Sequence, residues 1–155
     1  MKWCSVIIRN GNQVLLLHKS RGLGTGLITF PGGKIEANET EEECATRESK
    51  EETGVMPNEL RQVAKINFKR GNEVDVMYVF IGTATVKKIY ESDEGVTEWY
   101  NTDNLPFDKM WPDTRFWVDC ILKDKFVNCL FEFSEDYSKF FGGECIATPI
   151  ELTNN

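Results

Sequence analysis

The chain contains 155 residues, of which 41% are hydrophobic and 28% are charged, and it carries a formal net charge of −7. These proportions are ordinary for a globular protein, and the length predicts one domain, residues 1–155, that can bury a core without disulfides or metal ions. The negative charge argues against a nucleic-acid partner, which would need a basic surface, but not against a small phosphorylated ligand bound together with a divalent metal ion.

The cysteines and the apolar segments predict where the protein resides. The five cysteines are odd in number, widely spread and without a C-x-x-C pair, so reduced cytosolic thiols are expected rather than a zinc site or a disulfide framework. No apolar segment has the length of a signal-peptide core or a membrane span. We therefore expect a cytoplasmic protein without a membrane partner, and we expect it to be a monomer.

The first predicted elements are two strands and a glycine-rich loop. Residues 2–9 and 14–18 contain many β-favouring side chains and flank Asn10-Gly11-Asn12, a strong hairpin signal. Residues 21–34 follow, and glycine recurs throughout them. Because glycine allows unusual dihedrals and adds no side chain, we expect this loop to approach another group closely. Its spacing matches neither a P-loop nor a dinucleotide fingerprint.

A helix rich in glutamate is predicted next. Its predicted boundaries are the capping-box residues Thr40 and Glu43 and the C-cap glycine Gly54. Helical spacing places Glu48, Glu51 and Glu52 on one face. Carboxylates this close raise one another's pKa unless a cation lies among them, and oxygen ligands suit Mg²⁺ or Mn²⁺. The alternative is a solvated acidic face, which charge runs usually form.

The remaining elements complete an α+β pattern. The predicted strands are residues 60–69, 73–85, 96–100 and 126–133. A second helix is predicted from residue 113 or 114 to residue 122, with residues 116, 117, 120 and 121 on its buried face. Residues 149–155 are expected to form a frayed tail. We expect a mixed β-sheet sandwiched between the two helices.

Two later segments carry polar or aromatic residues. Residues 91–94, ESDE, are most simply a polar turn. Trp111 precedes a proline at a helix entrance, where an extended backbone is favoured. Its ring is suited to stacking on a base, and Asp113 is suited to accepting hydrogen bonds from the base edge or, if protonated, to donating one. The alternative is that Trp111 packs in the core and Asp113 caps the helix.

Residues 33–55 resemble the Nudix box, in which glycine, arginine and glutamate recur at fixed spacings. The matching positions are Gly33, Glu39, Arg47, Glu48, Glu51, Glu52, Gly54 and Val55. The one departure is Ser49, where the family has a bulky aliphatic residue, so it concerns the packing behind the helix rather than a ligand. The resemblance implies a Nudix fold and Mg²⁺- or Mn²⁺-dependent hydrolysis, with Glu48, Glu51, Glu52 and the Gly33 carbonyl as metal ligands.

A wider resemblance joins the chain to the animal-type oxidised purine nucleoside triphosphatases. It is closest at residues 91–118 and includes further matches between residues 14 and 24 and at residues 125–126. The site residues that it implies are Glu94 at the metal, Trp111 and Asp113 at the purine, and Phe68 and Leu23 along the pocket, Leu23 replacing a family aromatic.

Two departures from these relatives concern the base. Thr114 stands where they have a second aspartate, and Thr29 stands where they have an asparagine. A hydroxyl donates and accepts but cannot make the paired contacts of an amide or a carboxylate, so the reaction class is better specified than the base. Lys19 or Lys34 is expected to contact phosphate, although each is equally consistent with a surface lysine.

The predicted function is Mg²⁺-dependent hydrolysis of an oxidised purine nucleoside triphosphate, such as 8-oxo-dGTP, to the monophosphate and pyrophosphate, which would remove damaged nucleotides from the pool. Glu51, Glu52 or Glu94 is expected to accept the proton, and Arg47 to orient a carboxylate such as Glu43 or Glu51. The alternatives are a Nudix hydrolase of another nucleoside diphosphate derivative or of an undamaged triphosphate, and a nucleotide-binding sensor that lacks turnover.

Overall fold

The computed structural model describes residues 1–85 and 88–150, and within them are ten strands and two α-helices. The strands are β1 Lys2–Asn10, β2 Gln13–Lys19, β3 Ile28–Thr29, β4 Gly32–Lys34, β5 Asn58–Arg70, β6 Glu73–Thr83, β7 Glu91–Ser92, β8 Gly95–Asn101, β9 Lys125–Phe133 and β10 Phe140–Pro149. The helices are α1 Glu41–Thr53 and α2 Thr114–Leu122, and a 3₁₀ turn covers Phe107–Lys109.

The ten strands form one mixed sheet. Its main path runs β10-β9-β5-β6-β1-β2-β8-β7, while β3 pairs with β2 and β4 pairs with β1. The β1–β6 and β5–β9 pairs are parallel and the others are antiparallel. Gly33 of β4 lies opposite Cys4 of β1, so the glycine-rich segment reaches the middle of the sheet before the chain enters α1.

The two faces of the sheet are covered by different helices. Side chains alternate along a strand: Ile7 of β1 packs in the cluster that contains Val118 of α2, whereas Val6 and Ile8 pack with Ala45 of α1. These side chains are fully buried, and the burial of each valine or isoleucine contributes about 2 kcal/mol to folding. The predicted α+β fold, a mixed sheet between two helices, is confirmed.

Sequence patterns located most strands to within two residues. The exceptions are β3 and β4, which lie inside the predicted glycine-rich loop, and β7 and β10, which were not predicted. The prediction of a polar turn at residues 91–94 is wrong for Glu91 and Ser92, which form β7 and pair with β8. Gly142 and Gly143 weaken the strand signal of β10 because glycine has low β-propensity, and its pairing with β9 is a tertiary contact. The predicted frayed tail is wrong at Pro149, the last residue of β10, and residues 151–155 lie outside the described residues.

The buried face of α2 differs from the predicted one. Phe116 is 52% exposed and Cys120 is only half-buried, while Val118 is fully buried. The Phe116 ring contacts Phe131 and Phe140, with centroids 6.1 and 5.9 Å away. Phe140 belongs to the unpredicted strand β10, so this contact could not be anticipated. Neither helix in the described part of the chain is long and apolar enough to cross a membrane.

Four of the five cysteines are paired, so the expectation of reduced thiols is wrong for them. Cys4–Cys44 joins β1 to α1, Cys129–Cys145 joins β9 to β10, and Cys120 is free. The residues of the first pair are 40 positions apart and those of the second are 16 positions apart. These spacings match no motif that would have predicted the pairs from the sequence. Disulfides persist mainly in oxidising compartments, so the cysteines no longer support the predicted cytoplasmic location.

Candidate active site

The glutamate-rich helix α1 begins and ends where the sequence predicts. Thr40 Oγ1 accepts a hydrogen bond from the Glu43 N–H at 3.1 Å, and the Thr40 N–H donates to Glu43 Oε1 at 2.9 Å. Gly54 ends the helix with φ 69°, a left-handed conformation that glycine adopts without steric cost. An N-cap of this kind stabilises a helix by about 1 kcal/mol, so the carboxylates stand on a well-defined element.

Arg47 connects the carboxylates of this region. Its guanidinium donates to Glu39 at 2.7 and 3.0 Å, to Glu48 at 2.6 Å and to Glu51 at 3.3 Å. The prediction that Arg47 orients a carboxylate is confirmed for Glu51. Glu43, the other predicted partner, belongs to the helix cap instead.

Ser49 compensates for the aliphatic residue expected at its position. It is fully buried, its hydroxyl donates to the Val55 carbonyl oxygen at 2.8 Å, and its carbonyl accepts from Thr53 Oγ1 at 2.5 Å. A buried hydroxyl with a partner avoids most of the cost of desolvation. The end of α1 is therefore fixed by hydrogen bonds.

Two glutamates of α1 lie directly against the glycines of β4. Glu52 is 2% exposed, and its Oε1 accepts a hydrogen bond from the Gly32 N–H at 2.7 Å. A Cβ atom added to Gly33 would lie 2.5 Å from Glu48 Oε1, closer than real Cβ contacts allow. Glycine at position 33 thus leaves space for the carboxylate of Glu48 to approach the backbone, and a larger residue would make that side chain move.

Burial disfavours the charged form of both glutamates. Burial raises the pKa of Glu52 to about 8; the Gly32 N–H lowers it, while Glu48 and Glu94 raise it further. Burial also raises the pKa of Glu48, against the lowering effect of Arg47. Crowded, buried carboxylates are stabilised by a cation, and carboxylate oxygens suit a hard divalent ion.

This donor set fits a divalent metal, but the ligand set remains a prediction. Within residues 1–85 and 88–150, no three His, Cys, Asp or Glu side chains are grouped as a ready-made metal site. Glu51, the third predicted helix ligand, has a side chain that is 59% exposed and directed to Arg47. Gly33 lies beside Glu48, and its carbonyl stays a predicted ligand.

Glu94 is paired with two cations. Its carboxylate lies 3.3 Å from Lys19 Nζ and 3.0 Å from Arg21 Nε. Burial raises the pKa of Glu94, but the hydrogen bonds from Arg21 and Lys19 outweigh it and hold the pKa below its ordinary value. Arg21 was not among the predicted site residues. Its signals in the sequence were its position at the start of the glycine-rich loop and its match to the oxidised purine nucleoside triphosphatases.

A cavity of about 170 Å³ lies beside this carboxylate group. A cavity of about 150 Å³ can hold benzene, so the space suits a planar ring. Eight predicted site residues line it: Lys19, Leu23, Thr29, Gly33, Phe68, Trp111, Asp113 and Thr114. Lys34 is not among the lining residues, and its ammonium lies over the Trp3 ring, 5.6 Å from the centroid. Gly32, which donates to Glu52, also lines the cavity and joins the two halves of the site.

Trp111 is the group that the glycine-rich loop approaches. A Cβ atom on Gly24, where φ is +88°, would lie 3.2 Å from the indole. The ring is half-buried and meets Phe133 edge-on, with centroids 6.1 Å apart. It packs at the edge of the core and also lines the cavity, so stacking on a ligand stays a prediction.

Asp113 is a buried carboxyl group on the cavity wall. It is 3% exposed, its side chain makes no capping hydrogen bond to α2, and its Oδ2 accepts from Trp117 Nε1 at 2.9 Å. Burial raises its pKa to about 6, although the Trp117 hydrogen bond lowers it. The capping alternative is therefore wrong, and the side chain is available to a ligand in either protonation state near neutrality. Thr114, 5% exposed, lines the cavity beside it.

Comparison with known proteins assigns the family. A profile of the Nudix domain matches residues 3–119. The chain belongs to the Nudix family. This Nudix protein is 35% identical over 130 residues to an oxidized purine nucleoside triphosphate hydrolase of Danio rerio, covering 83% of each chain. It is 34% identical over 137 residues to the enzyme of the same name from Mus musculus, covering 84% of this chain and 85% of the relative.

The architecture also has a solved counterpart. A mutator MutT protein from Bacillus halodurans superposes on this Nudix chain with a TM-score of 0.81, covering 93% of this chain and 96% of the other. The two are 24% identical, so this likeness concerns the fold. The predicted family and fold are both confirmed.

The cavity also has walls that sequence analysis did not predict. Met77 lines it from β6, and Tyr137 lines it from the connection between β9 and β10. Alternation along β6 gave a signal for Met77, since Val79 on the same face is buried. Nothing in the sequence placed Tyr137, because its position depends on the unpredicted strand β10.

Proposed function

We propose that this Nudix protein hydrolyses a purine nucleoside triphosphate, preferably an oxidised one such as 8-oxo-dGTP, to the monophosphate and pyrophosphate. The observation that carries the proposal is the junction at Gly32 and Gly33. Glu52 accepts a hydrogen bond from the Gly32 N–H and Glu48 lies beside Gly33, and both glycines also line the cavity that contains Trp111. A nucleotide whose base occupies the cavity would thus bring its phosphates to the carboxylates.

The part of the site that contains the carboxylates, which we call the phosphate half, would use Mg²⁺, with Mn²⁺ as a substitute. The cavity that contains Trp111 is the base half. The residues proposed to hold the ion are Glu48, Glu51, Glu52, Glu94 and the carbonyl of Gly33. When bound, such an ion neutralises phosphate charge and acidifies an attacking water. The proton acceptor is proposed among Glu51, Glu52 and Glu94, and burial makes Glu52 the most basic of those whose pKa is shifted.

Lysine and arginine side chains near the carboxylates are candidates for binding the phosphate chain. Lys19 lines the cavity and also pairs with Glu94. We propose that it contacts the phosphate chain, and that Arg21, which shares Glu94, supports the same charge. Lys34 is a weaker candidate because it lies outside the cavity lining.

The base half would bind by stacking and by hydrogen bonds. Trp111 and Phe68 supply aromatic surface, and Asp113, Thr114 and Thr29 supply polar groups. Stacking on an aromatic residue contributes about 1–3 kcal/mol per base without choosing among bases. The hydrogen-bonding groups would therefore set the preference. The relatives named for oxidised purine nucleoside triphosphates support a purine with an altered edge.

A nucleotide panel tests the proposed function. The purified protein is incubated with Mg²⁺ and 8-oxo-dGTP, dGTP, dATP, dCTP, ADP-ribose or a dinucleoside polyphosphate, and the monophosphate and pyrophosphate are quantified. We expect the highest kcat/KM with 8-oxo-dGTP and no turnover after chelation of the metal. A preference for ADP-ribose, the dinucleotide or an undamaged triphosphate would contradict the substrate. Nucleotide binding without hydrolysis would identify a sensor instead.

The cellular setting is proposed with the function. We propose a monomer that acts in the cytoplasm on free nucleotides and binds neither nucleic acid nor membranes. Sedimentation equilibrium should give a mass near 17.8 kDa, and cell fractionation should place the protein in the cytosol. A dimer, or a location in an oxidising compartment, would contradict this setting.

A further inference from the structure

Tyr137 occupies an uncommon backbone conformation beside the cavity. It lies between β9 and β10 with φ 64°, in the left-handed region that bulky residues rarely adopt. Its N–H donates to the Ser134 carbonyl oxygen at 2.9 Å, and the Ser134 N–H donates to the Lys139 carbonyl oxygen at 2.9 Å. Asp136 Oδ1 accepts from the Ser134 hydroxyl at 2.9 Å. These bonds fix the turn and, with it, the direction in which Tyr137 points.

A buried carboxylate holds the other end of the Tyr137 side chain. Its hydroxyl donates to Asp75 Oδ2, which also accepts from Arg70 Nε at 2.6 Å. Asp75 is 2% exposed. Burial raises the pKa of Asp75, but its hydrogen bonds from Arg70, Tyr137 and the Met1 amino group lower it to about 2. The carboxylate is thus a permanent charged acceptor near neutral pH.

The Tyr137 ring meets the aromatic residues of the base half. It lies edge-on to Trp111, with centroids 5.9 Å apart and planes at 72°, and edge-on to Phe68, at 6.4 Å and 76°. The guanidinium carbon of Arg70 lies 5.7 Å from the centroid of the Tyr137 ring. Edge-to-face contacts at these distances are attractive. Tyr137 therefore supports both proposed stacking surfaces and forms part of the cavity wall.

We propose that Tyr137 is a positioning and specificity residue for the base, and that Asp75 and Arg70 hold its ring against Trp111 and Phe68. The proposal rests on the proposed function for the identity of the ligand. Stacking requires the two supported rings to keep their planes before the nucleotide arrives, because ordering them afterwards would weaken binding. The contacts of the Tyr137 side chain are with Trp111, Phe68, Phe133, Arg70 and Asp75 and not with the glutamates of α1, so it should affect base binding and selectivity rather than the chemical step.

Kinetics of Tyr137 variants with the nucleotide panel test this proposal. For Tyr137→Ala we expect KM for the preferred purine nucleotide to rise about tenfold, as expected from the loss of its contacts with the two proposed stacking rings, Trp111 and Phe68, while kcat stays within twofold. The value of kcat/KM for dCTP should change less, so base selectivity falls. Tyr137→Phe retains the ring, and its KM should lie between those of wild type and Tyr137→Ala. Asp75→Asn weakens the same contact and also removes the charge that pairs with Arg70 and the Met1 amino group, so its KM should be at least that of Tyr137→Phe. Adding Tyr137→Phe to Asp75→Asn should raise KM by less than Tyr137→Phe does alone, because the two side chains share one contact.

Tyr100→Phe is the matched control. The Tyr100 hydroxyl also donates to a carboxylate, Glu98, at 3.0 Å, but Tyr100 does not line the cavity. Its removal should leave KM and base selectivity unchanged. All variants should retain Met1 as the first residue, because its amino group lies 3.2 Å from Asp75.

The outcomes separate this proposal from the proposed function. A wild-type preference for another nucleotide would overturn the function, and Tyr137 would then be tested with that nucleotide. If no nucleotide is hydrolysed, the dissociation constants of the same panel, measured by tryptophan fluorescence, replace KM. An unchanged KM in Tyr137→Ala overturns the positioning role. Equal losses with every nucleotide in Tyr137→Ala and Tyr137→Phe would indicate a structural role only, which also overturns it.

Discussion

Glu52 is the residue on which the proposed chemistry depends most. It is buried, bonded to the backbone of β4 and close enough to Glu48 and Glu94 for their charges to raise its pKa. A surface glutamate would have none of these features. A charged carboxylate in such surroundings lowers the stability of the fold unless a cation binds to it. This cost is consistent with the proposed role of Glu52 as a metal ligand.

Glu52→Gln should reduce kcat for the preferred nucleotide to less than one tenth of the wild-type value. The amide still accepts from the Gly32 N–H, but it has no negative charge for a cation and no basic oxygen for a proton. The measurement is pyrophosphate release at saturating nucleotide and Mg²⁺. Glu42→Gln is the control, because it removes an exposed carboxylate from the same helix and should leave kcat unchanged. Turnover above one tenth in Glu52→Gln would remove Glu52 from the metal site.

Asp113 makes a testable contribution to the pH dependence of stability. Burial raises its pKa from 3.8 to about 6 in the folded protein, so the folded state binds the proton more tightly than the unfolded state does. The native protein is thus favoured below pH 4 by this group, and that contribution is lost as the pH rises through 6. A shift of this size corresponds to roughly 3 kcal/mol.

Asp113→Asn should remove this pH dependence while its side-chain oxygen still accepts from Trp117. The free energy of unfolding in urea, measured from pH 4 to pH 7, should fall with pH in wild type relative to Asp113→Asn. The comparison between variants cancels the opposite trend of carboxylates with lowered pKa, such as Asp75. Asp119→Asn, an exposed change on the same helix, should show no such difference. A constant difference between wild type and Asp113→Asn would show that Asp113 does not titrate in this range.

At the scale of elements, the Cys4–Cys44 disulfide fixes α1 to the centre of the sheet. Cys4 lies opposite Gly33 in the β1–β4 pair, so the crosslink is next to the glycines that contact the glutamates. Closing a loop across 40 residues restricts the unfolded chain and stabilises the folded one by about 2–4 kcal/mol. The helix that carries the proposed ligands is therefore tied to β1 covalently.

Thiol titration of the denatured, unreduced protein should detect one thiol, that of Cys120, if both disulfides form. Cys44→Ser should lower the midpoint of thermal unfolding, and reductant should lower the wild-type midpoint toward the variant's value. Cys120→Ser serves as the control and should retain the reductant effect. Five thiols in the wild-type protein would contradict both pairings.

The elements differ in how far sequence could predict them. The limits of α1 were predictable because its caps, Thr40 and Gly54, are local signals. The strand β10 was not, since its formation depends on pairing with β9. Two errors followed from that omission: the exposed position of Phe116, which contacts Phe140, and the absence of Tyr137 from the predicted pocket. Features set by neighbouring residues, such as the limits of α1, could thus be predicted from the sequence, whereas features that depend on pairing with a distant strand could not.

In the whole molecule, two parts of the chain far apart in sequence meet at β4. The glutamates of α1 contact its glycines from one side, and Trp111, which precedes α2, lines the cavity that these glycines also border. The covering of the two sheet faces by different helices makes this arrangement possible. We therefore expect substitutions of the glutamates to lower kcat and substitutions in the cavity to raise KM.

Trp111→Ala should raise KM for the preferred nucleotide at least fivefold and leave kcat within twofold, since base stacking contributes about 1–3 kcal/mol and the glutamates are untouched. Glu52→Gln should have the reverse pattern, and the two effects on kcat/KM should add in the double variant because the side chains share no contact. Phe116→Ala is the control: it removes an exposed aromatic of α2 that lies outside the cavity lining, and KM should not change. An unchanged KM in Trp111→Ala would exclude stacking on this ring, and the base would then have to bind elsewhere than in the cavity beside Gly33.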